Sequence, residues 1–407
     1  MRFAPLAALA FLAIHCSSTA QSINADRILA DIKYLSDDNL KGRGTGTPEE
    51  IAAADYISKQ FAKLKLTPKG GNGGWTQQFP FKGGIHGTGA EGTARNVIAY
   101  LDNKAAQTII LGAHFDHLGE GNDGSSLDAN PQGKIHNGAD DNASGTAGVL
   151  ELARYYTKNR KTEKHNYLFI LFSGEELGLF GSKYFTEHPT LDLSTVNYMI
   201  NLDMVGRLDP AGKGLSISGS GTSPVWETLI KELAGPALNV KTDSSGTGPS
   251  DHTSFYLKNI PVLHFFTGSH GDYHKPSDDW EKINAAGEAD VLNLIVKINE
   301  RLDSEPKLAF LPTRSRVTTA SRAFKVTLGV MPSYSSDAEG LKIDGVTDGK
   351  PAQKAGLLAG DVITQIGEYP IKDITAYMET LSRFEKGQTA KVKVLRGKEE
   401  LTFEVTF

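Results

Sequence analysis

Five short motifs constrain this chain more than anything else in it. Each places acidic or histidine side chains directly after an apolar run or in the turn before a helix. They are Leu111-Gly112-Ala113-His114-Phe115-Asp116-His117, Asn137-Gly138-Ala139-Asp140-Asp141-Asn142-Ala143-Ser144-Gly145, Ser173-Gly174-Glu175-Glu176-Leu177-Gly178, Asn201-Leu202-Asp203-Met204 and Asp272-Tyr273-His274-Lys275-Pro276. The apolar or alternating runs Gln107 to Ala113, Asn166 to Phe172, Val196 to Leu202, Leu215 to Gly219 and Ile260 to Phe266 read as strands. Helical stretches such as Gly145 to Lys158 and Ser223 to Ala234 separate them. Strands alternating with helices imply an α/β fold, a mixed and mostly parallel sheet sandwiched by helices. In such sheets, sites gather at the carboxyl ends of strands.

Taken singly, a carboxylate at a helix start is usually a cap and a lone histidine usually structural. Taken together, five strand ends converging on one sheet edge would crowd several carboxylates into a small volume. Like charges at that density repel unless a cation neutralises them, so the pattern calls for one divalent metal or two. The single cysteine, Cys16, lies near the start of the chain, so the ligands must be nitrogen and oxygen.

Two helices, Asp26 to Leu35 and Pro48 to Leu64, open this region, the second with Thr47 as its N-cap, and a long helix from Ala286 to Leu302 closes it. We divide the chain into a leader (1–20), an α/β domain (21–304), a linker (305–322) and a small β-rich domain (323–407). The last has short strands at Lys325 to Val330, Leu341 to Val346, Asp361 to Ile366, Ala390 to Leu395 and Leu401 to Phe407, with helices near Ala352 and from Ile374 to Phe384. With 407 residues, 39% hydrophobic and 22% charged, there is material for two cores. A formal charge of -5 with no like-charged run gives neither a nucleic-acid-binding stripe nor an acidic tail.

The five motifs, with Ser36-Asp37-Asp38, Gly42-Arg43 and Gly46-Thr47-Pro48-Glu49-Glu50 ahead of them, resemble the co-catalytic zinc aminopeptidases of metallopeptidase family M28 over Asp26 to about Leu302. The resemblance implies two Zn2+ ions, with His114 and Asp203 on one, Glu176 and His274 on the other, and Asp140 bridging. It makes Glu175 the general base, and Asp116 the carboxylate that orients His114, with Asp278 serving His274 in the same way. It assigns no metal contact to His117 or Asp141, for which local hydrogen bonding is expected. His252, in a Gly- and Ser-rich stretch, is expected as a substrate contact. The implied activity is hydrolysis of the N-terminal bond of peptides; carboxypeptidases and glutaminyl cyclases share the scaffold, and a peptide-binding scaffold with a vestigial metal site is the non-enzymatic alternative.

Gly349-Lys350-Pro351-Ala352-Gln353-Lys354-Ala355-Gly356-Leu357-Leu358-Ala359-Gly360-Asp361-Val362-Ile363 resembles the PDZ domains of bacterial proteases. That likeness implies a groove beside Thr327-Leu328-Gly329-Val330 for a peptide C-terminus, by addition of a strand to an open edge. Arg2, the apolar Leu6 to Ile14 and the small residues Ser18-Thr19-Ala20 read as a cleavable secretory signal, placing the protein in the periplasm or the medium. The apolar run is far short of the roughly 20 residues that span a bilayer, and His15 ahead of Cys16 disfavours lipidation.

Overall fold

The computed structural model describes residues 22–82, 91–122, 125–159, 163–313, 326–332, 340–346, 349–372 and 374–407. The expected leader and Cys16 lie outside the described residues. Helices α1 (Ala25–Leu35) and α2 (Pro48–Lys63) open the larger domain. Thr47 caps α2 by accepting the amide of Glu50, and Pro48 occupies the first turn, where its missing N–H costs nothing.

Nine strands then form one sheet: β1 (Thr67–Pro68), β2 (Thr76–Lys82), β3 (Glu91–Leu101), β4 (Thr108–His114), β5 (Asn166–Phe172), β6 (Val196–Leu202), β7 (Gly214–Ser218), β8 (Asn239–Asp243) and β9 (Val262–Phe266). Their order is β1-β3-β5-β4-β6-β9-β7-β8, with β2 paired to β3. The middle four, β5-β4-β6-β9, are mutually parallel, and antiparallel neighbours flank them on both sides. The sheet is therefore mixed with a parallel centre, as expected. Because β4, β5 and β6 are buried along their whole length, they read as near-continuous apolar runs.

The two faces of these strands separate cleanly. Ile109, Leu111, Phe169, Leu171, Tyr198 and Ile200 share a core with α1, α2, α3 (Gly145–Asn159), α5 (Trp226–Ala234) and α7 (Ala285–Leu302). Ile110, Leu168, Ile170 and Phe172 pack in a second core with Phe185 of α4 (Phe180–Glu187) and Phe255 of α6 (His252–Tyr256). The parallel strands thus all deliver their carboxyl ends to one edge, between two helical layers.

The segment expected as the start of a linker is docked. Leu308 donates its amide to Asn197 Oδ1 at 2.8 Å, Leu311 to the carbonyl of Thr222 at 2.8 Å, and Thr313 to the hydroxyl of Tyr256 at 2.9 Å. The smaller domain has its own core, built on Leu328, Ile343, Ile363, Ile366, Val392, Val394 and Val405. Its sheet contains β10 (Val330–Pro332), β11 (Leu341–Val346), β12 (Val362–Ile366), β13 (Tyr369–Pro370), β14 (Thr389–Arg396) and β15 (Glu399–Thr406), with helices α8 (Pro351–Ala355) and α9 (Ile374–Leu381). Among the described residues no helix is long and apolar enough to cross a membrane.

Candidate metal centre

His114 is the last residue of β4, Asp203 follows β6 directly, and Glu175 and Glu176 follow β5 by three and four residues. The loop after β9 carries His274, held at φ +53. Asp141 enters from the turn ahead of α3. That turn is permitted only by Gly138, whose φ is +54 and where a Cβ would lie 2.1 Å from the carbonyl of Asp141 and 2.4 Å from the His117 ring.

These side chains meet around Asp141. Its Oδ1 lies 3.3 Å from His114 Nε2, which is also 3.4 Å from Asp203 Oδ1. Its Oδ2 lies 3.2 Å from His274 Nε2, which is also 3.1 Å from Glu176 Oε2. One carboxylate therefore faces two imidazole–carboxylate pairs, one from each oxygen. Donor atoms of His114, Asp141 and Asp203 all lie within 4.8 Å of one another, as do those of His117, Asp141 and Glu176. Asp141 Oδ2 is buried and has no hydrogen-bond partner. Buried carboxylate oxygens and imidazole nitrogens converging with a lone pair unspent suit a divalent cation of the zinc type.

Both outer histidines are oriented by main-chain carbonyls. His114 Nδ1 lies 3.2 Å from the carbonyl of Asp116, and His274 Nδ1 lies 2.9 Å from that of Ser125. A proton on each Nδ1 leaves Nε2 free to face the cluster. Asp203 accepts the Ser250 hydroxyl at 2.7 Å, and Ser250 in turn accepts Asn201 Nδ2.

Glu175 is positioned through its backbone, its amide donating to Asp116 Oδ1 at 3.2 Å while Thr45 donates to Asp116 Oδ2 at 2.8 Å. Burial holds the Glu175 carboxyl well above the ordinary range, opposed by His114 and reinforced by Asp251, Asp203 and Glu176. Burial acts against the charge of Glu176 too, but His274 and His117 outweigh it and bring the group down to about 2. The adjacent glutamates are thus driven apart in basicity by what each one faces.

Residues 96–298 match the peptidase family M28 model and residues 326–407 the PDZ domain model. The larger domain belongs to peptidase family M28. A leupeptin-inactivating enzyme of Streptomyces exfoliatus is 31% identical over 283 residues, covering 68% of this chain and 57% of that protein. The chain thus spans little more than half the length of that relative. In fold, the M28 domain is similar to a leucine aminopeptidase precursor of Bacteroides thetaiotaomicron (TM-score 0.56, 18% identity, 69% of this chain and 97% of that one). It is equally similar to the glutaminyl cyclase of the same organism (TM-score 0.56, 19% identity, 68% and 97%).

The M28 domain departs from the sequence expectation at four positions. Asp140 does not join the cluster. Its Oδ1 accepts the amide of Gly206 at 2.7 Å and its Oδ2 lies 3.1 Å from His270 Nε2, so both oxygens are spent on loops behind the site, and its neighbour Asp141 takes the central place. His252 is fully buried, stacked on His264 with ring centroids 4.5 Å apart, and burial pulls its pKa well below the usual value. A neutral imidazole sealed between β9 and α6 has no face for substrate. Asp278 leaves His274 alone and accepts the amides of Asp140 and Asp141 at 3.0 and 3.1 Å. The Asp116 carboxylate is 3.8 Å from His114 Nδ1, so its backbone carbonyl, rather than its side chain, orients that ring.

His117 makes the local hydrogen bond expected of it, its Nδ1 lying 2.6 Å from Glu176 Oε1. Sequence reasoning gave no role to Glu50, fully buried, which accepts the Ser173 hydroxyl in a short hydrogen bond and the Gly46 amide at 2.9 Å, tying α2 to the turn that carries Glu175.

Two outcomes follow from this geometry. Asp141→Asn is expected to lose most bound metal, whereas Asp140→Asn keeps it at near wild-type stoichiometry, as read by metal per chain after dialysis; equal loss in both would contradict the placement. Burial raises the Glu50 carboxyl from 4.5 to about 7, so the native state keeps this proton where the unfolded chain gives it up. The stability this contributes is complete below pH 4.5 and lost as pH rises toward 7. Chemical denaturation of wild type and Glu50→Gln across that window should show the difference between them changing by a few kcal/mol at most, roughly 1.4 kcal/mol for each pH unit that separates the folded and unfolded titrations. A parallel pair of stability profiles would count against it.

Proposed function

We propose that this protein is an exported, two-zinc aminopeptidase in which His114 and Asp203 hold one ion, Glu176 and His274 the other, and Asp141 bridges them. The carrying observation is the division of Asp141, Oδ1 toward His114 and Oδ2 toward His274. When bound, the ions would polarise the scissile carbonyl and acidify the attacking water. Glu175 takes the proton of that water and passes it to the leaving amine, its carboxylate aimed by the Glu175 amide on Asp116. Glu176, one residue on, is committed to His117 and His274 and plays no part in proton transfer.

Amino-terminal specificity is supported by the carboxyl-rich lining. Asp116, Asp141, Glu175, Glu176, Asp203 and Asp251 interact with one another at the site, and a substrate ammonium can donate to carboxylate oxygens that the ions leave free, whereas a substrate carboxylate finds no donor among them. Arg43, whose charge is felt by Asp116, Asp141 and Glu176, donates to backbone carbonyls, and Lys183, whose charge is felt by Asp251 and Glu175, donates to the carbonyl of Gly178 at 2.7 Å. Glutaminyl cyclisation is the second reading, favoured by the fold likeness. The complete pair of half-sites supports hydrolysis instead.

In the smaller domain, β10 is one of the two end strands of its sheet among the described residues, and Gly329 just before it has φ +73. An end strand beside a glycine turn supports capture of a peptide C-terminus by strand addition.

One panel tests these readings: peptides with free or acetylated N-termini, each with a free or amidated C-terminus, plus an N-terminal glutamine peptide, with products identified by mass. Wild type is expected to remove single N-terminal residues from the free-amine peptides only, with a higher KM for the amidated ones. Glu175→Gln should keep its metal while turnover falls by about 10²–10⁴-fold. Cleavage of acetylated peptides, or cyclisation without hydrolysis, would refute the aminopeptidase assignment; indifference to the amide would refute the groove.

Export rests on the N-terminal twenty residues. Intact mass of the protein recovered from an exporting host should begin after Ala20, and retention of Met1 would remove this part of the proposal.

A further inference from the structure

Arg43 is fully buried, yet its guanidinium forms no ion pair among the described residues. Nε donates to the carbonyl of Phe115 at 2.7 Å, Nη1 to the carbonyls of Asn137 at 2.7 Å and of Leu35, and Nη2 to the carbonyl of Gly138 at 3.0 Å. Phe115 follows His114, Asn137 and Gly138 lead into Asp140-Asp141, and Leu35 ends α1. One side chain thus joins both loops that carry the centre of the cluster to a rigid helix end. The Arg43 carbonyl completes the tie by accepting the amide of His117 at 3.2 Å, and Gly44 bridges to His117 in parallel fashion.

The chain is bent to achieve this. Arg43 itself sits at φ +48, in the left-handed region that a side chain other than glycine or asparagine seldom adopts. Gly42 before it is at φ +70, and a Cβ there would lie 2.3 Å from the carbonyl of His136. With Lys41 at φ +40, three consecutive residues are left-handed, two of them not glycine, which costs free energy, and here their effect is to aim the guanidinium inward. Burial lowers the Arg43 pKa to about 10, so the group stays cationic at neutral pH, close to Asp116, Asp141, Asp278 and Glu176 without touching them.

We propose that Arg43 is a positioning residue that holds the His114–His117 loop and the Asp141 loop at metal-binding separation before any cation arrives. The inference rests on the two-zinc reading. In an empty site, carboxylates this close push the loops apart. A fixed positive charge, fastened by a planar fork to carbonyls on both loops, opposes that repulsion from behind. Lysine carries the charge but projects all its donors from one atom, so it cannot span the same carbonyls.

Three measurements on the full chain test this. In zinc-free wild type, hydrogen exchange at the amides of His117 and Ala143 should be as slow as in the zinc-loaded protein, since their acceptors are Arg43 and Gly138. Rapid exchange that zinc abolishes would show that the metal orders the loops, and would overturn the proposal without any variant. Zinc titration of Arg43→Lys and Arg43→Met should show affinity reduced about 10–100-fold in at least one site. The rise in Tm on zinc addition should shrink accordingly. A purely structural role would lower Tm equally with and without zinc and leave affinity unchanged, which also overturns it. Absence of zinc binding by wild type would sink the two-zinc reading itself, a result separable from failure of Arg43 alone.

Discussion

The repulsion among carboxylates at the carboxyl edge of the parallel strands is the constraint around which the rest of the M28 domain is arranged. Hydrogen-bond accounting divides these carboxylates into two sets. Asp116 and Asp140 accept backbone amides, at Glu175 and Gly206, and have a partner on each oxygen, whereas Asp278 accepts the amides of Asp140 and Asp141 with Oδ2 and turns its other oxygen, which has no hydrogen bond, toward Arg207 at 3.8 Å. Asp141 and Glu176 face imidazoles, and Asp141 keeps a buried oxygen without a hydrogen bond. A buried acceptor left unanswered by main chain costs free energy, and a cation is what can repay it. Asp203 lies between the sets, with one oxygen on Ser250 and the other toward His114.

This division also explains how far the site was legible in sequence. The strands β5 and β6 and the helices α3 and α7 were readable to within a residue or so, because both faces of the strands are buried and the helices carry one apolar stripe. Strands β2 and β3 were not: β2 alternates buried and exposed positions, and β3, paired with β1 and β2 on one side and β5 on the other, opens on the exposed Glu91-Gly92-Thr93 before its buried second half. Four of the five expected ligands face the cluster. The fifth was displaced by one residue because Asp140 and Asp141 are chemically identical in sequence, and only the turn at Gly138 decides which carboxylate points in. His252 was misread for a related reason. Its loop-like composition conceals a short helix, α6, whose packing on β9 buries the ring.

Much of what positions the site is written in main-chain atoms, which leave no mark on side-chain chemistry. The tautomers of His114 and His274 are set by the carbonyls of Asp116 and Ser125, and the guanidinium of Arg43 binds carbonyls alone. Any residue supplies a carbonyl, so no motif flags these contacts. What does mark them is backbone conformation, through Gly42 and Gly138 at positive φ and the left-handed Arg43 and His274.

The docked segment 305–313 extends the same logic beyond the ligands. Thr313 Oγ1 accepts the amide of Gly246 at 3.0 Å, and Tyr256 clasps Thr313 through both its amide and its carbonyl. Gly246 belongs to the stretch between β8 and α6 that also contains Ser250, the donor to Asp203. The chain leading toward the PDZ domain is therefore fastened to the same loop that steadies one side of the metal cluster. A flexible spacer would leave this loop to solvent; hydrogen bonds from Leu308, Leu311 and Thr313 instead make the exit of the chain part of the support for Asp203. The boundary between the two domains, read from composition as a linker, thus begins as structure belonging to the first.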